Sequence, residues 1–356
     1  MHESLRSIPR VRLAALPTPL THAPRFSAEV GVDVWIKRDD VGPLGLVGNK
    51  VRKLEFLLAK AIEEGADTVV TLGTRISNSA RAAAAACAQL GLQCVLIVGG
   101  DEPRTATGNL LLDALFGADL RYQPRVESTG PVRWDQLGDA NVEIGEMLAA
   151  EGRRPFVLPV GCSSPHAVLG FAAAYLELTT QLQELDLSAG RLYHASTSGG
   201  THAGLALGHR VAGSGPHPCG IGAADTVYPD MRERYLQLVQ GAARLIGNAC
   251  EPTMEWIDLD MRFLGAGYGI ATPEAIEAIS LLARTEGILA DPVYTGKALA
   301  ALVAAARQGE LSEPVVFWHT GGTPGVFEPQ YAEALWTHSR RLAAERERSV
   351  GMSQDV

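Results

Sequence analysis

The sequence predicts an α/β protein with two open parallel-sheet domains and helices on both faces of each sheet. The first observation is that short strands alternate strictly with longer helices along most of the chain. The second is that the strands, such as residues 67–72, are almost continuously apolar, which is typical of parallel strands buried on both faces. The third is a length of 356 residues with 46% hydrophobic content, enough for two domains.

The elements follow one another with little interruption. Prolines are frequent in residues 1–31, so an irregular arm is expected there, followed by an extended segment and a helix from Lys50 to about Glu64. Further strands are expected at residues 67–72, 93–98, 119–122, 155–158, 192–196, 219–223 and 314–318. Further helices are expected near 78–90, 108–113, 134–150, up to 185, after 204, at 230–245 and 273–286, and after 295. The charged end of the chain is expected to form a surface helix that frays over residues 341–356.

Composition excludes several classes of protein. The net charge of −9 and the lack of a dense basic stripe argue against nucleic-acid binding. The most apolar region, residues 82–98, is broken by polar residues and glycine and therefore predicts a helix and a strand, not a membrane span. The first 13 residues lack the apolar core of a secretory signal, and five scattered cysteines fit a reducing cytoplasm. Neither the cysteines nor the histidines show metal-ligand spacing, so no metal site is predicted.

The segment at residues 48–55 places two lysines at the start of a helix. Gly48 supports a turn and Asn49 is a suitable N-cap, so Lys50 falls in the first helical turn with Lys53 on the same face. Cations are disfavoured there because the helix dipole already makes that end positive. The residues alone leave two interpretations, a solvated surface pair or an amine nucleophile at Lys50 beside an anion-binding Lys53.

Four further loops follow strands, where parallel sheets bind their ligands. The glycine-rich loop at residues 198–204 suits an anion, but it matches neither common nucleotide-binding pattern. In the loop at 73–79, Ser77 and Asn78 are either helix caps or polar ligands. In the loop at 291–297, Thr295 is a candidate N-cap and Tyr294 is either a packed aromatic or an acid/base group. The loop at 319–325 closes the last strand.

Taken together, these loops resemble those of one family. The matching motifs, in order from about Leu16 to about Phe327, are Lys37–Asp40, Gly48–Glu55, Ser77–Asn78, Gly108–Asp113, Ser198–Leu205, Gly267–Gly269 and Asp291–Lys297. The chain resembles the pyridoxal-phosphate-dependent D-cysteine desulfhydrase and 1-aminocyclopropane-1-carboxylate deaminase family, of the tryptophan synthase β-like fold. The resemblance implies pyridoxal 5'-phosphate as the cofactor, a small amino acid as the substrate and a homodimer. It implies a large cofactor-binding domain at residues 1–53 and 164–340 and a small domain at 54–163.

The resemblance also implies a role for each site residue. Lys50 would hold the cofactor as a Schiff base and move the substrate's α-proton as a neutral amine, its pKa lowered by Lys53 and the helix start. Tyr294 and Tyr268 would flank the substrate where bonds break. Cofactor-binding residues would be Lys50, Lys53, Asn78 (on the ring oxygen), Ser198, Gly199, Gly200, Thr201 and Thr295 (facing the ring nitrogen). Substrate-binding residues would be Ser77 (on the carboxylate), Asn78, Ser79, Arg75 and Cys162.

Thr295 separates the two chemistries of the family. The deaminases resemble a Tyr-Glu pair at this point and the desulfhydrases a Tyr-Thr pair, and this chain has Tyr294-Thr295. A neutral hydroxyl suits simple elimination, whereas a carboxylate that keeps the ring nitrogen protonated suits ring opening. We therefore predict a cytoplasmic lyase that performs α,β-elimination on D-cysteine or a β-substituted relative. Aminocyclopropane-carboxylate deamination, β-replacement, and a binding protein without turnover stay as alternatives.

The chain departs from the family beside the expected substrate. Ile76 stands where the family has Gln before the Ser-Asn pair, Ser79 stands where it has His or Gln after the pair, and Arg75 is unusual there. The second glycine-rich turn carries Cys162 and Ser164 in place of the family's Gly and Asn. The loss of these amides predicts a changed substrate, and Arg75 suggests one with a further negative group.

Overall fold

Two separate sheets organise the chain. The computed structural model describes residues 5, 7–46, 48–123, 133–225, 227, 230–247 and 251–354. A six-stranded sheet has the order β1-β2-β10-β7-β8-β9 and a four-stranded sheet has the order β5-β4-β3-β6. The strands are β1 Leu20–His22, β2 Val34–Arg38, β3 Thr68–Thr74, β4 Gln93–Gly99, β5 Asp119–Gln123, β6 Pro155–Val157, β7 Arg191–Ser196, β8 His217–Gly222, β9 Leu259–Asp260 and β10 Val315–His319.

Eleven α-helices lie within the described residues and cover the two sheets. They are α1 Pro24–Val30, α2 Lys50–Glu63, α3 Asn78–Leu90, α4 Gly108–Leu115, α5 Trp134–Ala150, α6 Pro165–Glu184, α7 Gly200–Ala212, α8 Met231–Leu245, α9 Pro273–Glu286, α10 Thr295–Arg307 and α11 Pro329–Gln354. None of these helices is both long and apolar enough to cross a membrane. The alternation and the α/β class predicted from the sequence are confirmed.

Burial on both faces explains the apolar strands. In β3 every residue from Thr68 to Gly73 is buried, and all five residues of β10 are buried. All the strand pairs are parallel except β1 with β2, so the carboxyl ends of the central strands point to the same edge of each sheet. The small-sheet strands β3 to β6 all lie within residues 54–163. The proposed domain boundaries themselves stay a prediction.

The expectation of an irregular arm over residues 1–31 was wrong in its second half. Strand β1 pairs antiparallel with β2, with Leu20 opposite Lys37, and helix α1 begins with Pro24 in its first turn. Proline is well tolerated there because the first helical N–H needs no partner, so it starts this helix instead of blocking it. Strand β9 was also not expected, since two residues leave no periodic pattern. The charged tail is helical to Gln354, and its fraying stays a prediction.

Candidate active site

The loops predicted to carry chemistry meet at the carboxyl ends of the strands. The backbone N–H of Asn49, just before helix α2, donates to the carbonyl of Thr320, just after β10, across 3.1 Å. The β7–α7 loop and the start of α3 border the same small cavity. The predicted cofactor-binding residues that line it are Lys50, Lys53, Asn78, Ser198, Gly199 and Thr201. Tyr294 closes another side of this cavity.

Two lysines point into this cavity without a counter-charge. The Lys50 Nζ lies 3.5 Å from the carbonyl of Gly161, and the Lys53 Nζ donates to Ser163 Oγ across 3.1 Å. Among the residues that the structure describes, no carboxylate lies within 4.0 Å of either amine. Burial lowers the pKa of Lys50, and it lowers the pKa of Lys53 strongly, where the neighbouring Lys50 adds to the effect. Two buried amines of this kind either stay neutral or bind an anion from outside the chain.

The cause of the lowered pKa of Lys50 differs from the expected one. We expected Lys53 and the helix start to lower the pKa, but burial is the largest cause, and the contact with Lys53 acts in the opposite direction. The pKa of Lys50 is nevertheless lowered, as predicted. The sequence shows the helix start but not how much protein surrounds it, so the desolvation of Lys50 could not be read from spacing.

The glycine-rich loop forms a cradle beside Lys53. Gly199 has a φ of 87°, and a Cβ there would lie 2.3 Å from the ring of Tyr235, so only glycine fits. Helix α7 begins at Gly200, whose N–H donates to Ser163 Oγ across 3.2 Å. Ser163 Oγ also lies 2.8 Å from Ser198 Oγ. A helix N-terminus with converging hydroxyls and an amine is a suitable site for a phosphate group.

The start of helix α3 presents the predicted substrate loop. Ser77 is the N-cap, and its hydroxyl accepts from the N–H of Ala80 across 3.3 Å, so the capping interpretation is correct. The same hydroxyl lies 3.0 Å from Ser79 Oγ. The amide of Asn78 borders the cavity, and its Oδ1 accepts from Asn109 Nδ2 across 3.0 Å. Ser77 therefore shapes the helix start, and Asn78 faces the cavity.

Two tyrosines meet on another side of the cavity. The hydroxyls of Tyr268 and Tyr294 lie 2.7 Å apart, and the Tyr268 hydroxyl is 3.4 Å from Thr74 Oγ1. Burial raises the pKa of both phenols, that of Tyr294 strongly. Both hydroxyls therefore keep their protons at neutral pH and can donate them. Tyr268 lies on an irregular loop that the buried Lys297 holds, since Lys297 Nζ donates to the carbonyls of Leu264 (2.7 Å) and Gly267 (3.0 Å).

Thr295 is the first residue of α10 and not its N-cap, which corrects the expectation. Tyr294 occupies the cap position without a side-chain cap. Instead, Asp291 accepts hydrogen bonds from the N–H groups of residues 293–295, at 2.9 Å each, and from the Thr295 hydroxyl at 2.6 Å. The proton of the Thr295 hydroxyl is therefore committed to Asp291.

Asn49 also differs from its predicted role. It precedes α2, but its side chain makes no capping hydrogen bond and donates instead to Thr201 Oγ1 across 2.9 Å. This contact joins the start of the lysine helix to the phosphate cradle. The tertiary hydrogen bond replaced the local one that the residue type favours.

Some predicted residues lie away from the cavity. Arg75 is exposed, and its charge acts on the buried Glu328. Cys162 is fully buried in an apolar cluster with Leu158 and Ala167, so its side chain does not line the cavity. The roles of both residues in substrate binding stay predictions. Cys250, one of the five cysteines, lies outside the described residues, and the others are free and buried.

Ser163 and Asn109 were missed as site residues. Both lay in motifs that the sequence singled out, but the residues they contact are distant in the chain. No local spacing indicates such a contact. Among the described residues, no cluster of histidine, cysteine or carboxylate side chains could hold a metal ion.

Comparison with known proteins identifies the class of this fold and site. Residues 11–321 match the family model described as "Pyridoxal-phosphate dependent enzyme". The chain belongs to this family, its cofactor is pyridoxal 5'-phosphate, and the fold type predicted from the sequence is confirmed.

Individual relatives agree with this assignment. A protein of Pyrococcus abyssi named "Putative 1-aminocyclopropane-1-carboxylate deaminase" is 40% identical over 93% of this chain and 96% of its own length. A protein with the same name in Pyrococcus horikoshii is 39% identical over 91% of this chain and 94% of its own. The solved structure of an "ACC deaminase homologue" has a TM-score of 0.84 and 38% identity, covering 94% of this chain and 98% of that one. A threonine deaminase from Solanum lycopersicum, with a TM-score of 0.65 and 17% identity over 94% of this chain and 86% of its own, shares the fold alone.

The residues present fit the cofactor. The two buried amines have no carboxylate partner in the described part of the chain, and a cradle of N–H groups and hydroxyls adjoins Lys53. The phosphate would lie against Lys53 and the Ser198–Thr201 loop, and the aldehyde would meet Lys50. Asn78 would offer its amide to the ring.

Proposed function

We propose that the protein is a pyridoxal-phosphate-dependent lyase that removes ammonia from a small amino acid by α,β-elimination and releases a 2-oxo acid. D-Cysteine or a β-substituted relative is the proposed substrate. The observation that carries this choice is Thr295, whose neutral hydroxyl already donates its proton to Asp291. A ring nitrogen facing this group would meet no carboxylate acid, which suits a reaction whose leaving group departs promptly.

When bound, the cofactor supplies an aldehyde for covalent attachment and a ring that accepts electrons from the breaking C–H bond. The remaining work falls to this chain. Lys50, with its lowered pKa, carries a proton at Nζ to and from the α-carbon. The N-terminus of α3, beginning after Ser77, attracts the substrate carboxylate.

The Tyr268–Tyr294 pair supplies the acid for the departing group. Its two hydroxyls are 2.7 Å apart, and both are protonated at neutral pH, since burial raises their pKa values further above the ordinary phenol value. As the C–S bond breaks, Tyr294 donates its proton to the departing sulfur and then regains a proton from water, and Tyr268 supports Tyr294 by a hydrogen bond. With D-cysteine and one water, the products are pyruvate, ammonia and hydrogen sulfide, so atoms and charge balance.

Deamination of 1-aminocyclopropane-1-carboxylate is the second candidate. The names of the relatives at 40% and 39% identity favour it. Paired tyrosines also suit ring opening, which needs a group to attack or protonate the ring carbon. Thr295 in place of an acidic residue speaks against it.

A homodimer in the cytoplasm completes the proposal. The cysteines that the structure describes are free and buried, which fits a reducing compartment. Analytical ultracentrifugation of the purified protein tests the dimer directly. A monomer at micromolar concentration would contradict it.

The deciding experiment has two stages. The purified protein should be yellow, and borohydride should fix the cofactor irreversibly on the peptide that contains Lys50, with Lys50→Ala as the unlabelled control. A colourless protein that takes up no cofactor would contradict the whole proposal. Next, sulfide and pyruvate release from D-cysteine is compared with 2-oxobutyrate release from the cyclopropane substrate. Release of 2-oxobutyrate alone would replace the desulfhydrase proposal with the deaminase one.

A further inference from the structure

Two buried side chains contact the amide oxygen of Asn78. Asn109 Nδ2 donates to Asn78 Oδ1 across 3.0 Å, and Arg81 Nη2 approaches the same oxygen at 3.5 Å. Asn109 is 1% exposed and Arg81 is 0% exposed, whereas Asn78 borders the cavity. Both supporting side chains therefore lie on the protein side of Asn78.

The hydrogen-bond partners determine which way the amide points. Asn109 Nδ2 also donates to the carbonyl of Ile76 across 2.9 Å, and a carbonyl can only accept, so the nitrogen of Asn109 must face this corner. The second hydrogen of the same NH₂ group then requires an acceptor at Asn78. Arg81 can only donate as well. Both neighbours select the oxygen of Asn78, which leaves its NH₂ group for the cavity.

In this orientation the side-chain oxygen of Asn109 accepts no hydrogen bond from the described residues. Within the described part of the chain, neither Asn109 Oδ1 nor Arg81 Nε has a hydrogen-bond partner. A buried polar atom left without a partner is costly. The rotamers are thus set by the contacts to Asn78, Ile76 and the loop before α2, where Arg81 Nη1 donates to the carbonyls of Gly45 and Leu46.

The start of helix α4 aims Asn109 at this corner. Gly108 has a φ of 52°, and a Cβ there would lie 2.3 Å from Glu328 Oε1, so the helix can begin here only with glycine. Asn109 follows as the second helical residue. The Gly108–Asp113 motif thereby has a place in the site.

We propose that Asn109, supported by Arg81, is a positioning residue that fixes the donor side of the Asn78 amide toward the ring oxygen of the cofactor. This inference rests on the proposed function, since it takes the family's role for Asn78. A donor at that oxygen stabilises its anionic form, whereas a flipped amide would set an acceptor against it. Asn109 thus acts on the electronic state of the cofactor without touching it.

The test compares two buried asparagines. Asn109→Asp keeps the shape but cannot donate once its carboxyl is ionised, and Asn109→Ser removes the amide donor with little strain. Asn141 is the matched control, since it is 3% exposed and its Nδ2 also donates to a backbone carbonyl, that of Leu158, at 3.0 Å. Asn141→Ser loses a similar hydrogen bond in helix α5, away from Asn78. The readouts are the visible absorption spectrum across pH, the dissociation constant for pyridoxal phosphate and the melting temperature.

We expect both Asn109 variants to shift the absorption spectrum and its pH midpoint and to weaken cofactor binding about tenfold, the loss expected from one good hydrogen bond. Asn141→Ser should lower the melting temperature while the spectrum and the dissociation constant stay at wild-type values. If Asn109→Asp does not fold, Asn109→Ser decides. Folded Asn109 variants with a wild-type spectrum and affinity overturn this inference alone. A wild-type protein that binds no cofactor overturns both the inference and the proposed function.

Discussion

The hydroxyls of Tyr268 and Tyr294 lie 2.7 Å apart although the residues are separated by a helix and two loops. Tyr268 stands on an irregular loop, and Tyr294 immediately precedes helix α10. Of the two, Tyr294 borders the cavity, and the Tyr268 hydroxyl contacts that of Tyr294. In the proposed elimination, Tyr294 would donate the proton and Tyr268 would support it.

Replacing Tyr294 by phenylalanine should lower kcat by about 10²- to 10⁴-fold, the usual contribution of a positioned acid. Cofactor binding should change little, because the ring remains in place. Steady-state kinetics with absorption spectra of the loaded variant measure both effects. Tyr122→Phe, in strand β5 of the other sheet, is the control. A Tyr294→Phe enzyme with at least half the wild-type kcat would show that the acid lies elsewhere.

Ser163→Ala should weaken pyridoxal phosphate binding about tenfold, because the hydroxyl organises Lys53, Ser198 and the N–H of Gly200. The adjacent Ser164 offers a matched control, since its hydroxyl caps helix α6 by accepting from the N–H of Ala167. Ser164→Ala should lower stability by about 1 kcal/mol and leave affinity unchanged. Cofactor titration and thermal melts separate the two variants. If Ser163→Ala and Ser164→Ala bind pyridoxal phosphate with equal affinity, Ser163 does not contribute to the phosphate cradle.

Lys297→Met should loosen the loop that carries Tyr268. The variant keeps the apolar length of the side chain but loses the donors to Leu264 and Gly267. Hydrogen exchange of residues 264–269 should therefore accelerate, and kcat should fall while cofactor affinity holds. Lys60→Met, at a partly exposed position on α2, should change neither property. Unchanged exchange in Lys297→Met would mean that other contacts hold the loop.

Asp113 should make the protein less stable as the pH rises from about 4 to 7. Burial raises the pKa of this carboxyl from 3.8 to about 7, so the folded state holds a proton that the unfolded state has released in this range. The free energy of unfolding therefore falls as the pH rises through this range, and it stays low above about pH 7. Asp113→Asn should recover at most about 4 kcal/mol at pH 8 and flatten the curve.

Denaturant melts at pH 4.5, 6 and 8 test this expectation for Asp113. The exposed Asp139→Asn, on helix α5, should reproduce the wild-type curve. An Asp113→Asn protein with the wild-type pH dependence would place the titration on other groups.

Much of the fold was predictable because its signals are local. Apolar runs marked the strands, and glycines with capping residues marked the turns, so the element order followed. Helix α1 was missed because Pro24 and the prolines before it were taken as breakers, although Pro24 occupies a position where helices accept proline. Strand β9 is too short to leave a pattern.

A contact in the site was predictable where one sequence motif contained both contacting residues. It was not predictable where the two residues lie far apart in the sequence. Lys50 and Lys53 share one helical turn, so their pairing could be read from spacing. Asn49 was expected to cap that helix, but Thr201, 152 positions away, takes its side chain. Ser163 and Asn109 likewise reach partners 37 and 31 positions away. Such contacts exist only after the sheets have formed.

In the described part of the chain, Lys50 and Lys53 have no carboxylate partner. Pyridoxal phosphate would therefore serve as their counter-ion as well as the chemical reagent. Without it, the fold must bury two neighbouring basic groups and hold at least one of them neutral. Free pyridoxal phosphate at 100 times its dissociation constant would raise the free energy of unfolding by about 2.7 kcal/mol. The lifetime of the polypeptide in the cell should therefore follow the availability of vitamin B6, with the vitamin-starved protein becoming the preferred substrate of proteases.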